Sequence, residues 1–231
     1  MMKQSDISIP GISRSPTQIN GILIPKVEEP PLKRPLDVIL SLFMLIFSVP
    51  ISLLIALAIK LEDGGPIFYR QERWGRGGSH FRAYKFRTMV ANSDEVFGVK
   101  QAMENDPRIM TVGRILRATG LDELPQAINI FLGEMSFVGP RALAIGEVLF
   151  DKNGQRVNYE EIPDFWRRLS VRPGLTGIAT IYGAKDIPPR KKFRYDLLYI
   201  RKQSVWLDLK LILLSFWISF RGRWEKRGNK I

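Results

Sequence analysis

The sequence predicts a mixed α/β domain fastened to a membrane, and three stretches carry that expectation. Residues Val38 to Ile59 run for 22 positions without a charge, broken near the middle by Pro50. A run of that length passes the test for a transmembrane helix. Between Ile67 and Met89, apolar and basic residues alternate around the turn-forming GRGG, which is the pattern of a strand-turn-strand unit. VGRILRAT, at positions 112–119, has helical spacing.

Composition narrows the chemistry before any motif is read. The chain has 231 residues, 45% of them hydrophobic, enough for one sizeable core. Lys and Arg number 35 against 23 Asp and Glu, a formal net charge of +12. The partner surface is therefore anionic: nucleic acid, acidic phospholipid or a phosphorylated substrate. The absence of cysteine excludes disulfides, thiolate metal sites and a cysteine nucleophile. With His80 the lone histidine, a serine-histidine triad and a His-rich zinc site are also disfavoured, and acid-base or metal chemistry falls to carboxylates.

Residues 1–32, rich in Ser, Pro, Ile and Gly without helical period, read as a flexible or loosely attached N-terminal tail. The membrane segment spans 33–61. Pro50 lacks a backbone donor and clashes with the preceding turn, so a break is expected between Phe47 and Val49, where Ser48 can bond a freed carbonyl. Each half is then about 12 residues, roughly 18 Å, short of a ~30 Å hydrocarbon core. Lys33 and Arg34 precede the segment, while Lys60, Arg70, Arg73 and Arg76 follow it, which favours the cytoplasm on both sides. A hairpin that enters and leaves by one face satisfies both flanks, and a kinked span also fits these residues. Both readings stand at this point.

The remainder, 62–220, forms the domain proper. GRGG lacks the strand-GxxxxGK-helix setting of a P-loop and reads as a plain turn. Arg70, Arg73, Arg76, Arg82, Lys85 and Arg87 make a basic cluster whose position after the membrane segment favours lipid headgroups. GLDELPQAINIF begins a second helix in which Pro125 is tolerable only in the first turn, placing Asp122 at or near the N-cap. Asp122 and Glu123 then sit at the positive end of a helix dipole, which lowers the cost of keeping both ionised; an ordinary acidic cap is the competing reading. GEMSFVGPRA presents Arg141, and SVRPGLTG presents Arg172, in turns suited to holding phosphate oxygens bidentately. SVWLDLKLILLSFWISFRGRW fits either a helix in the headgroup plane or a buried core helix with a basic end, and 221–231 reads as a basic tail.

KRPLDVILS, the proline-broken run, GPIFYRQERWGRGGSHFRAYKFRTM, DPRIMTVGRILRATGLDELPQAINIFLGEMSFVGPR, RPGLTG and YDLLYIRKQSVWLDLKLIL follow one another across residues 33–215. In that order they resemble the bacterial sugar transferase family, the monotopic phosphoglycosyl transferases. The resemblance implies an α/β domain with a small β-element, interfacial amphipathic helices and a re-entrant helix-turn-helix broken at Ser48 and Pro50. It implies the minimal catalytic type, on the cytoplasmic face of the bacterial inner membrane. The implied reaction moves a sugar-1-phosphate from a nucleoside diphosphate sugar, usually a UDP-sugar, to polyprenol phosphate, releasing UMP. This is a first membrane step of glycoconjugate or exopolysaccharide assembly.

By matching GLDELPQ, the resemblance makes Asp122 the nucleophile and Glu123 the ligand of a required Mg²⁺. Arg117 and Arg141 would orient phosphates, with Arg172, Lys85 and Arg87 as further substrate contacts. The implied partners are the sugar donor, the lipid acceptor and the bilayer, without nucleic acid, and a homodimer is compatible with them. Three departures bear on this. Val49 stands where the family has Ser before the proline, Ala142 replaces the second proline of GPRP, and Ala184 with Lys185 stands where the family carries an arginine. Ala142 is expected to loosen the Arg141 loop. The alternative is a non-catalytic, membrane-anchored basic module that binds acidic lipid or nucleic acid and has no need of Asp122.

Overall fold

The computed structural model describes residues 17–19, 21–91, 93, 106–147, 149–150, 156–183 and 187–224. Two short antiparallel strands, β1 (Thr17–Ile19) and β2 (Ile22–Ile24), lead to the helices α1 (Lys33–Phe47) and α2 (Val49–Asp63). The chain then forms the antiparallel hairpin β3 (Phe68–Trp74) and β4 (His80–Phe86), closed by a short 3-10 turn at Arg76–Gly78. GRGG is thus a turn, as its context indicated. Next come α3 (Thr111–Thr119), a 3-10 helix at Leu121–Gln126, α4 (Ala127–Leu132) and β5 (Ser136–Val138). The strands β6 (Leu149–Phe150) and β7 (Arg156–Val157) pair with each other, and α5 (Phe165–Arg168) follows. The chain continues through β8 (Gly174–Thr176), which pairs parallel with β5, then α6 (Ile178–Tyr182), α7 (Pro189–Lys202) and α8 (Val205–Phe220).

The break in the apolar run falls where proline chemistry puts it. Ser48 joins α1 to α2, its N–H donates to Met44 O at 2.9 Å, and Pro50 occupies the first turn of α2, where its missing donor costs nothing. Among the described residues no single helix is long and apolar enough to cross a membrane; α1 and α2 pass that test only as a pair, bent by 57°.

α1 is built inside out. Its buried residues are Lys33, Asp37 and Ser41, one per turn at i, i+4 and i+8, while Ile39, Leu42, Phe43 and Ile46 on other faces are exposed. Lys33 and Asp37 find their partners in the domain, while Ser41 Oγ donates to Val38 O of α1 itself at 3.1 Å. Lys33 Nζ donates to Asp208 Oδ2 (2.7 Å), Val138 O (2.9 Å) and the Tyr199 hydroxyl (3.0 Å). Asp37 Oδ1 accepts from Ser136 Oγ and Phe137 N–H, both at 3.0 Å. Lys33, which the sequence showed only as a flanking positive charge, is therefore a structural ion and not a free cation. A buried charge needs a partner, and Asp208 supplies it across 175 residues.

The main core lies beneath β4, β5, α7 and α8 and includes Ala83, Ile130, Val138, Tyr199, Leu211 and Ile218. A second cluster packs Ile24, Phe165 and Phe193 with Trp74 against it, and a third joins Ile55 and Ile59 of α2 to Phe86, Met110 and Leu116. The segment before α1 is not a loose tail throughout: Ile24 and Val27 are buried, and Glu29 pairs with Arg172 at 2.6 Å. α8 resolves its two readings by taking both. Asp208, Leu211, Ile212 and Ile218 are buried, while Trp206, Leu213, Phe216 and Phe220 stay exposed.

Candidate active site

Strand register brings the basic side chains together. Arg73 lies opposite Phe81 and Tyr69 opposite Lys85, so Arg73 and Lys85 share the inward face that carries Phe81 and Ala83. Asn129 of α4 staples this hairpin to the segment carrying the two carboxylates: its Oδ1 accepts from Tyr84 N–H at 3.1 Å and its Nδ2 donates to Arg82 O at 2.8 Å.

α3 ends at Gly120, whose φ of 75° lies in the left-handed region and reverses the chain into the 3-10 helix of Asp122 and Glu123. Pro125 sits inside this short helix, and α4 begins afresh after it. This differs from a single α-helix with Pro125 in its first turn. Two short helices carry little dipole, so side-chain charges set the electrostatics instead.

Those charges make the carboxylates unequal. Asp122 is 8% exposed, and burial pushes its carboxyl up to about 6 against the pull of Lys85, with the Glu123 charge adding to the rise. This reverses the dipole expectation for Asp122. For Glu123 burial also opposes ionisation, but Lys85, Arg141 and Arg73 together hold it at about 2. Lys85 bonds Glu123 Oε1 directly and lies 3.8 Å from Asp122 Oδ2; Arg141 Nη2 is 3.5 Å from Glu123 Oε1. Glu123 is thus a fixed anion, and Asp122 is the carboxylate that protonates first.

The Arg141 loop is held from both sides. Arg73 Nη1 donates to Ala142 O (2.7 Å), Arg168 Nη2 to Arg141 O (2.5 Å), and Gly174 N–H to Pro140 O (2.8 Å). Arg168 is itself fixed by a buried 2.8 Å pair with Asp196. Ala142 is buried within these contacts, so the missing proline does not leave the loop loose.

Of the residues singled out from the sequence, Asp122, Glu123, Lys85 and Arg141 meet, and Arg117 in the last turn of α3 adds its field to Asp122. Arg87 and Arg172 do not join them. Arg87 pairs with Asp63 at the end of α2, and Arg172 pairs with Glu29 and lies 3.4 Å from Asp37, so both are spent on structure. Ala184 and Lys185 lie outside the described residues. Two further groups were not assigned a role from the sequence. Arg73 stood out only as one of a basic cluster, and register was needed to turn it inward. Gln126 is buried with its Nε2 unbonded among the described residues, and its place in DELPQ was the available signal.

Among the described residues, no group of three or more His, Cys, Asp or Glu side chains is placed to hold a metal. Such a donor set would suit Mg²⁺ only if the ion arrived on a phosphate substrate, with Glu123 offering one carboxylate oxygen.

The bacterial sugar transferase family model matches residues 28–222. The chain is 41% identical over 186 residues to exopolysaccharide production protein PSS of Rhizobium leguminosarum bv. phaseoli, covering 78% of this chain and 91% of that one. It is 40% identical over 217 residues to a UDP-glucose:undecaprenyl-phosphate glucose-1-phosphate transferase of Klebsiella pneumoniae, covering 88% of this chain and 44% of that one. A UDP-N-acetylgalactosamine-undecaprenyl-phosphate N-acetylgalactosaminephosphotransferase of Aeromonas hydrophila is 36% identical over 196 residues, covering 83% of this chain and 44% of that one. The chain spans most of the first relative and less than half of the other two.

Proposed function

The chain belongs to the bacterial sugar transferase family, and on that premise we propose that it transfers a sugar-1-phosphate from a UDP-sugar to polyprenol phosphate, releasing UMP. One observation carries the reading: a buried aspartate with a raised pKa stands beside a fixed anion, within the fields of Lys85, Arg117 and Arg141. Asp196 and Asp208, also buried and raised, each have a buried cation of their own in Arg168 and Lys33, whereas Asp122 shares Lys85 with Glu123 and lies 3.8 Å from that lysine.

In the first step Asp122 attacks the phosphorus that bears the sugar. The bond from that phosphorus to the bridging oxygen breaks, and UMP leaves with the electron pair. An oxygen of the prenyl phosphate then attacks the same phosphorus, the bond to Asp122 breaks, and the carboxylate is restored. Lys85 and Arg141, already on Glu123, are suited to sharing the diphosphate charge, and Arg73 holds Arg141's loop from beneath. Mg²⁺ held by Glu123 and the diphosphate would stabilise the departing phosphate. Relatives named for glucose and for N-acetylgalactosamine leave the sugar to experiment.

The membrane attachment we favour is re-entrant, with the site at the cytoplasmic face. Both ends of the α1–α2 pair are fastened to one body. Arg34 caps α4 through Ile130 O (2.6 Å) and Phe131 O (2.7 Å), while Glu62 accepts from Thr111 and Val112 N–H at the start of α3 (2.6 and 2.9 Å). Each helix of 15 residues is about 22 Å long, so a 57° bend with both ends at the surface puts the apex about 11 Å deep, within one leaflet. Phe43, Phe47, Leu53 and Leu54, all exposed, then meet hydrocarbon.

The test is intact-protein mass after exposure to Mg²⁺ and a panel of UDP-sugars without acceptor. A sugar-phosphate increment with UMP release in wild type, absent in Asp122→Asn, supports the covalent route. UMP released only when acceptor is present, with no increment, would refute the aspartyl intermediate.

A further inference from the structure

The residues around Asp122 account for the donor but not for the approach of a lipid. After α8 ends at Phe220 the chain folds back on α3: Trp224 N–H donates to Ala118 O at 3.1 Å, and Arg223 N–H to Ile218 O at 3.1 Å. The Trp224 indole lies against Gly120, where an added Cβ would meet Nε1 at 2.8 Å, and Nε1 is tied to Ser219 Oγ at 2.8 Å. Gly120 precedes Asp122 by two residues. The turn Arg221–Trp224 thus packs against the Ala118–Gly120 end of α3, from which the chain runs directly into Asp122.

This border carries cations that the donor chemistry leaves unused. Arg221 is exposed, stacked 5.5 Å over the Trp217 ring, and Arg223 is half-buried. Arg114 is exposed on the same face of α3 as Ala118, one turn earlier. None of the three has an ion-pair partner among the described residues. Beside them Trp217 and Phe220 stack at 6.3 Å, with Phe220 86% exposed, and Ile115 of α3 is 62% exposed. Guanidiniums next to exposed hydrocarbon suit an amphiphile with a phosphate head. A free nucleotide would leave the apolar half uncovered.

We propose that Arg114, Arg221 and Arg223, buttressed by Trp224, bind the phosphate head of the prenyl phosphate acceptor, and that Ile115, Trp217 and Phe220 receive the first part of its chain. The family match ends at residue 222, so Arg223 and Trp224 lie beyond it. This subsite rests on the transferase reading, and the two half-reactions separate the one from the other.

The experiment compares wild type with Arg221→Gln/Arg223→Gln in detergent micelles, using the UDP-sugar panel and undecaprenyl phosphate. UMP release without acceptor is expected to be unchanged, while KM for undecaprenyl phosphate rises about fivefold to tenfold, as loss of charge-assisted contacts near the surface implies. Arg221→Lys/Arg223→Lys recovers most of that loss. An unchanged KM overturns the subsite, as does a parallel fall in both half-reactions, which would make the turn a support for Asp122. An unchanged KM in micelles with weaker binding to phosphatidylglycerol vesicles also overturns it, in favour of general headgroup contact. If wild type releases no UMP from any donor, the transferase reading fails by itself. Native mass spectrometry of undecaprenyl phosphate binding then decides the subsite, with about fivefold weaker binding expected in the Gln variant and equal binding overturning it.

Discussion

Replacing Asp122 by asparagine is expected to abolish transfer and to stabilise the protein. The side chain is nearly isosteric, so no cavity forms, and what changes is the cost of holding a buried charge. Burial raises the carboxyl from its ordinary 3.8 to about 6. Because the folded pKa is raised, the folded state holds the proton more tightly than the unfolded chain between those values, and stability falls as pH climbs through that window. The penalty is complete above about pH 6, where it is on the order of 3 kcal/mol, and has largely vanished by pH 4. Asp122→Asn removes it. For a chain of this size the gain at pH 8 corresponds to a rise in unfolding midpoint on the order of 5–10 °C, shrinking to a degree or two at pH 4. Thermal unfolding in detergent across pH 4–8, wild type against variant, reads this directly. A variant no more stable at pH 8, or one whose advantage grows toward acid, would refute the assignment of Asp122 as a buried, reluctantly ionised carboxylate.

Single-turnover attachment of sugar phosphate to wild type should lose rate as pH falls through about 6, because the protonated Asp122 cannot attack; Glu123, held at about 2, should add no second limb above pH 4. Lys85→Met should cut transfer by roughly a hundredfold or more by freeing the half-buried Glu123 charge, whereas Arg87→Gln should lower the unfolding midpoint while leaving kcat/KM within a few fold. Equal kinetic losses in the two would reverse their assigned roles. Lys33→Met should destabilise by about 3–5 kcal/mol by stranding Asp208, and adding Asp208→Asn should recover much of it in the same unfolding assay. Phe47→Glu with Leu53→Glu should move the protein from the membrane fraction to the supernatant, and unchanged sedimentation would remove the bent pair as the anchor.

Much of the site was legible because its signals are local. DELPQ holds Asp122, Glu123 and Gln126 within five residues, and the Gly-Pro turn before Arg141 announces itself. The hairpin and α3 followed from alternation and from helical spacing, and the break at Ser48 followed from the steric rules of Pro50. Arg87 and Arg172 stand apart from that cluster for the opposite reason. A basic residue near a motif does not reveal which carboxylate it faces, and theirs were Asp63, 24 residues away, and Glu29, 143 away. Trp224 read from the sequence only as one of the tryptophans suited to a headgroup-plane helix, since its contact with Gly120 depends on α8 returning to α3.

The sequence by itself determined that this chain has a broken apolar helix, a paired carboxylate and a strong positive excess, because each depends on residue type and near-neighbour spacing. Tertiary structure alone decided which charges pair off with distant carboxylates and which gather around Asp122 and Glu123. Lys33, Arg87 and Arg172 are neutralised by distant carboxylates, while Lys85 and Arg141 converge on Glu123 and leave Asp122 buried beside them. Coulomb attraction and desolvation act through space, so the job of each cation was settled only when folding brought it to its partner.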